Sequence, residues 1–281
     1  MFDNKRNSEG SVMNMLRKYY TPALAVLACL ALLAMAAAAQ APTAPAPAGQ
    51  TPPAQGRGGS VGLGADPQAP MGGRSLMANA PTKIPAATLK KPVTPEAAPD
   101  ADGFIPRWLL LEPIPSPSLL QNAVQTAVKK EYFPNQFTVI PKDGDKVTVD
   151  GKDKIWHAVD TTKFNVNLYH FAREQGMSAE NVMFWTVTIV NAPKDIPNVR
   201  LAAGSNAASV WWLNGEEVLG IYGERQATID DGVSKRLSLK KGPNVLRGAV
   251  INAGGATDFC ARFLDADDKP LKGYTVSLSQ K

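Results

Sequence analysis

Groups that carry covalent or acid–base chemistry are scarce in this chain. Its 281 residues include two histidines, His157 and His170, and two cysteines, Cys29 and Cys260. A nucleophile–base–orienter arrangement draws on few candidates here, and His157, next to Trp156 in a strand pattern, reads as a structural or exposed histidine. The motifs G-x-S-x-G, H-E-x-x-H, G-x-x-x-x-G-K-[ST] and C-x-x-C are all missing. Ser205, in Gly204-Ser205-Asn206, is the one serine whose setting hints at a loop nucleophile, and a turn residue is the expected reading. No catalytic residue is assigned, and whether the chain is an enzyme stays open, with the missing motifs weighing against it. Cys29 lies in an apolar run, so removal of that run leaves Cys260 alone and excludes an internal disulfide. With Phe259, Ala261 and Phe263 around it, Cys260 reads as a small buried hydrophobe.

Aromatic residues are missing between Gln40 and Phe104, a stretch with twelve prolines up to Ala101. Such a segment buries too little apolar surface to offset its ordering entropy, so residues 40–101 are expected to be a disordered Pro/Ala/Gly-rich linker. Before it, Arg17 and Lys18 precede a charge-free run from Thr21 to Ala39, and Ala37, Ala39 and Ala41 have A-x-A spacing. Residues 1–39 therefore read as a signal peptide, cleaved near Gln40 or Pro42, and place the protein in the periplasm or outside the cell. The alternative is an uncleaved anchor in the inner membrane, since the run approaches the ~20 residues that span a bilayer.

An excess of basic charge is also missing from the remainder. The formal net charge of +5 resolves into nine Lys/Arg against five Asp/Glu in residues 1–101 and 21 against 20 in residues 102–281. Nucleic acid, which needs a basic patch, is not an expected partner.

What is there is a long series of short β segments. Trp211-Trp212-Leu213-Asn214-Gly215-Glu216-Glu217-Val218 reads as a hairpin, because a type I′ turn needs φ > 0 at both central residues and Asn-Gly tolerates that best. Runs of period two precede it at 146–151, 154–159, 181–190 and 198–203, and others follow at 234–239, 244–251, 258–264 and 274–278. Lys240-Lys241-Gly242-Pro243-Asn244 and Asp265-Ala266-Asp267-Asp268-Lys269-Pro270 read as turns between strands. One short amphipathic helix is expected, with Ser116 as N-cap, Pro117 at its first position, and an end near Glu131. The fold class is all-β, an antiparallel β-sandwich over residues 102–281 with one short helix.

Two acidic clusters, Asp143, Asp145, Asp150 and Asp153, and Asp265, Asp267 and Asp268, hold enough hard oxygens for a structural Ca²⁺. Asp is also favoured in turns, and that reading is adopted, with no cofactor and no metal assigned. The aromatics remain as binding candidates. Trp108, Trp156 and Trp185 read as core, whereas Trp211 and Trp212 point to opposite faces of their strand, so that only one need be core. A sugar site combines a ring that stacks with polar groups that orient. Trp212 with Tyr222 and Arg225, flanked by Gly220 and Gly223, is the candidate ligand-binding set; Tyr222 as core and Arg225 as a solvated charge is the competing reading.

Four segments in order carry a resemblance: Trp108-Leu109-Leu110-Leu111-Glu112-Pro113-Ile114-Pro115, Trp211-Trp212-Leu213-Asn214-Gly215, Lys241-Gly242-Pro243-Asn244-Val245-Leu246 and Arg262-Phe263-Leu264-Asp265. Over residue 102 to the end the chain resembles the galactose-binding-like β-sandwich (jelly-roll) modules appended to secreted glycoside hydrolases and carbohydrate esterases, including acetylxylan and sialate esterases. Glu112 and Ile114 stand where that family has Gly and Phe, and Pro243 where it often has an aromatic. The resemblance implies an exported carbohydrate-binding or accessory module with a glycan as partner. A structural or assembly protein using the same fold as a platform for a cell-envelope protein is the alternative, and an esterase label by association with those relatives is a third.

Overall fold

The Asn214-Gly215 turn joins strands β10 (Ala208–Leu213) and β11 (Glu216–Ile221), with φ of 52° and 87° at its two central residues. Positive φ at both positions is what the dipeptide predicts, and β10 and β11 pair antiparallel as expected. The computed structural model describes residue 64, residues 88–116 and residues 119–280. Within them, every strand pair is antiparallel and the chain is all-β with two short helices.

Eleven strands form the larger sheet. Its main path runs from β1 (Leu89–Lys90) through β6 (Lys152–Thr161), β3 (Arg107–Leu111), β8 (Val182–Ala192) and β14 (Gly242–Asn252) to β10 and β11. The other sheet has five strands, centred on β9 (Ile196–Asn206) and β15 (Asp258–Leu264). One apolar cluster draws on both: Trp108 and Trp211 from the large sheet meet Phe259 of β15 at ring-centroid distances of 5.1 and 5.5 Å. Each indole removes roughly 150–250 Å² from water, about 4–6 kcal/mol at 25 cal/mol per Å². Gly248 of β14 makes room for Trp211, because a Cβ there would stand 2.6 Å from the indole.

The opposite face of the large sheet is covered too. Helix α1 (Gln121–Lys129) and the segment behind it place Val124, Val128 and Phe133 over Leu109, Leu111, Trp185, Val187 and Trp212. Double coverage explains why β3 and nearly all of β8 are buried residue after residue instead of alternating. It also means that Trp211 and Trp212 are both core, on opposite faces, at 0% and 9% exposure.

Several expectations are corrected. Helix α1 begins at Gln121, with Leu120 at its N-cap and no side-chain cap. Ser116 is not the cap, because its N–H donates to Asn181 O at 2.9 Å and Ile114–Pro115 is held extended as β4 against β8. A second helix, α2 (Leu168–Glu174), was not expected; Asn167 Oδ1 caps it by accepting from His170 N, and Gly176 follows its end at φ 70°. Ser205 is neither loop nor turn, being fully buried in β9, where its hydroxyl donates to Ala207 O.

The folded part also starts before residue 102. Within the expected linker, β1 pairs with β6, and β2 (Glu96–Ala97) pairs with β16 (Thr275–Ser277). Between them Thr94 gives its carbonyl and hydroxyl oxygens to the buried Arg107 guanidinium at 2.6 and 3.1 Å. Gly64 lies against β11 at φ 90°, where any Cβ would overlap the Val218 carbonyl. The expected signal segment and the rest of the linker lie outside the described residues.

Candidate functional site

The three residues proposed from the sequence do not form an exposed site. Trp212 stacks on Trp185 at 5.5 Å with 23° between the planes. Tyr222 is 1% exposed, and burial raises its phenol pKa. Its hydroxyl accepts from Gln125 Nε2 of α1 at 3.4 Å. Arg225 is buried against Asp231 with a 2.6 Å ion pair. Trp212 and Tyr222 share the apolar cluster beneath α1. The pair read as aromatic platform plus guanidinium is a core tyrosine and a structural ion pair.

The combination sought there occurs elsewhere. A recess of about 310 Å³ beside the hairpin turn is lined by Phe137, Thr138, Asn214, Gly215, Val245 and Arg247. Phe137 is 36% exposed, one of few large apolar side chains at the described surface. Its ring meets Trp185 edge-on at 5.9 Å, so Phe137, Trp185 and Trp212 form a continuous aromatic row from surface to core.

Both walls of the recess are fixed by their local sequence. After α1, Asn135 adopts φ 60° and its carbonyl accepts the N–H groups of Thr138 and Val139 at 2.9 and 2.8 Å. Gln136, fully buried, accepts from Tyr132 N at 2.8 Å and donates to Lys130 O at 3.0 Å, closing the loop on itself. Phe133 anchors it edge-on against Trp156 at 6.3 Å. Opposite, Asn214 Oδ1 accepts from Val245 N at 2.8 Å, and its amide donates to Asn244 Oδ1 at 3.0 Å. The turn is thereby tied to β14.

Arg247 lies on β14 between Val187 of β8 and Trp212 of β10. Paired residues share a face, so its side chain is on the helix-covered side. It is 4% exposed; Nη2 donates to Val139 O at 2.7 Å, while Nη1 is buried without a hydrogen-bond partner. Burial alone lowers its pKa to about 10, so the guanidinium stays charged at neutral pH. Sequence reasoning passed over it, although a single charge in the apolar run Val245-Leu246-Arg247-Gly248-Ala249-Val250-Ile251 is a readable signal.

Other recesses are less organised. One of about 590 Å³ carries Tyr169 and Arg173, but Arg173 is exposed and its guanidinium already lies over the Tyr169 ring at 5.7 Å. One of about 550 Å³ between Pro115 and Met177 holds Lys152 and Lys154 and no aromatic ring. The acidic clusters serve their turns: Asp145 accepts from Lys142 N, Asp265 from Asp267 N and Lys269 N, and Asp268 pairs with Arg200 and Arg236. Among the described residues, no three His, Cys, Asp or Glu side chains are grouped to hold a metal ion. Cys260 is a buried free cysteine, with its thiol pKa raised by burial.

No known protein family matches the chain, and no curated protein matches it. Among solved structures, it is similar to a selenomethionine-labelled β-glucosidase from Kluyveromyces marxianus, at 14% identity and a TM-score of 0.36, over 60% of this chain and 19% of that one. A glucose complex of β-glucosidase from the same organism gives 16% identity and a TM-score of 0.31, over 57% and 16%. The chain spans less than a fifth of the length of either, and similarity at this level carries no argument about function.

Proposed function

We propose that this chain is an exported, non-catalytic β-sandwich module of the galactose-binding-like kind, and that it holds a glycan at the Phe137–Arg247 recess. The observation that supports this most is the meeting, at one depression, of an exposed ring, the largely buried Arg247 side chain and a turn locked by side-chain hydrogen bonds. A pyranose presents an apolar face to such a ring while polar groups around the recess orient its hydroxyls. Residues 1–39 would act as the export signal, or as an anchor if uncleaved, and the linker would carry the module away from the membrane.

Affinity electrophoresis of the exported protein in gels containing plant or bacterial polysaccharides tests the reading. Wild type is expected to be retarded, and Phe137→Ala is expected to bind about fivefold more weakly, from the ~1 kcal/mol of a ring contact. A folded wild type that binds no glycan would replace this reading with a platform for a cell-envelope protein.

A further inference from the structure

Strand β11 ends the main path of the large sheet, and β10 is its one paired strand among the described residues. Trp211 pairs with Leu219 and Trp212 with Glu217, so Val218 is an extra residue on β11 with no counterpart on β10. A bulge at an edge turns backbone groups off the ladder, and open edges of this kind are usually covered. Here the covering group comes from the linker. Gly64 lies on the Val218 carbonyl, and its own carbonyl accepts from Lys235 N at 2.6 Å. Lys235 belongs to the connection between β12 (Gly232–Val233) and β13 (Leu237–Leu239) of the smaller sheet, so this one residue bridges the seam between the sheets. Two separate constraints require glycine there. A φ of 90° disfavours any side chain, and a Cβ would overlap a backbone carbonyl that has no rotamer to escape into.

We infer that the seam between β11 and the β12–β13 connection is a docking surface for this chain's own linker, clasped at Gly64. The linker's other attachment, β1, pairs with β6 at the opposite end of the main path from β11. Strand spacings of about 4.8 Å put those ends roughly 29 Å apart, which residues 65–87 span more than twice over at ~3.3 Å per residue. The linker therefore holds the module at both edges of its larger sheet. The free tether is residues 40–63 and not 40–101, and a module carried by an uncleaved anchor stands off by that shorter length. A strand from another chain adding to β11 has to displace Gly64 first.

Nuclear magnetic resonance of the exported protein, with its linker intact, tests this at one amide. Wild type is expected to show a nuclear Overhauser contact between Gly64 Hα and the Lys235 amide. Lys235 N–H is expected to exchange with solvent tenfold or more slowly in wild type than in Gly64→Ser, which adds the Cβ that the clasp excludes. Amides of β8 and β14, away from the seam, are expected to keep their rates and so report that the variant is folded. Thermolysin cleavage of the Gly62–Leu63 bond is expected to accelerate by a similar factor in the variant, because a protease needs the chain free on both sides of the bond. Absence of the Overhauser contact in wild type, or equal Lys235 exchange in the two proteins, overturns the inference and leaves the linker unclasped at Gly64. Protection of Val218 and Lys235 that rises with protein concentration in both proteins assigns the edge to a second copy of the chain and overturns it as well.

Discussion

Arg247 Nη2 donates to the Val139 carbonyl at 2.7 Å across 108 positions of chain, joining the middle of β14 to the loop that carries Phe137. That bond makes one unit of an aromatic side chain and a guanidinium that the sequence holds far apart.

Gly215→Val is expected to cost more than ~1 kcal/mol, because a β-branched residue is strained at φ 87°. A Cβ at this position meets nothing within 4 Å, so the loss is conformational and not steric. Urea denaturation of the two proteins measures it, and an unchanged midpoint would remove the type I′ turn from the account.

Limited proteolysis is expected to leave a resistant fragment that begins upstream of Leu89. A chain starting at residue 102 loses β1, β2 and the Thr94 oxygens that accept from Arg107, a side chain 1% exposed. A truncated protein as stable as the longer one would show that these strands contribute nothing.

Asp258 gives a pH dependence. Burial raises its carboxyl to about 6, against which the hydrogen bond from Asn165 Nδ2 is a smaller, opposing effect. The folded pKa is above the unfolded one, so this group's stability contribution is full below about pH 4 and is lost as pH rises through about 6. Asp258→Asn, which can still accept from Asn165, is expected to gain ~1–2 kcal/mol at pH 7 and nothing at pH 4. Thermal unfolding across that range gives the answer, and equal gains at both pH values would contradict it.

Arg225→Ala should lower stability by more than ~1 kcal/mol, because it removes the 2.6 Å ion pair that a buried Asp231 makes with the guanidinium. Folded variant should bind glycan with wild-type affinity. A stable variant that had lost binding would return the site to the residues first suggested by sequence.

The hairpin and the strands were legible because turn chemistry and period-two patterning act over a few residues, as Asn214-Gly215 shows. Helix α2 was also readable, since Asn167 and Gly176 are ordinary N- and C-terminal signals; its seven residues gave too short a period to stand out. Strands β1 and β2 were hidden because two residues each carry no pattern, and their stability comes from β6 and β16, far along the chain. The burial of Tyr222 and Arg225 depends on α1 and on Asp231, and nothing local to the segment Gly220 to Arg225 encodes it. Phe137 was missed because its exposure follows from a loop closed by Gln136 and Asn135 and not from any periodicity.

The most direct test is which aromatic residue controls affinity. Polysaccharide titrations of wild type, Phe137→Ala and Tyr222→Phe, each verified as folded, separate the exposed ring from the core tyrosine. Phe137→Ala is expected to weaken binding about fivefold, in line with ~1 kcal/mol of ring contact, with Tyr222→Phe unchanged. Binding that is untouched by Phe137→Ala and reduced by Tyr222→Phe would contradict the placement of the site.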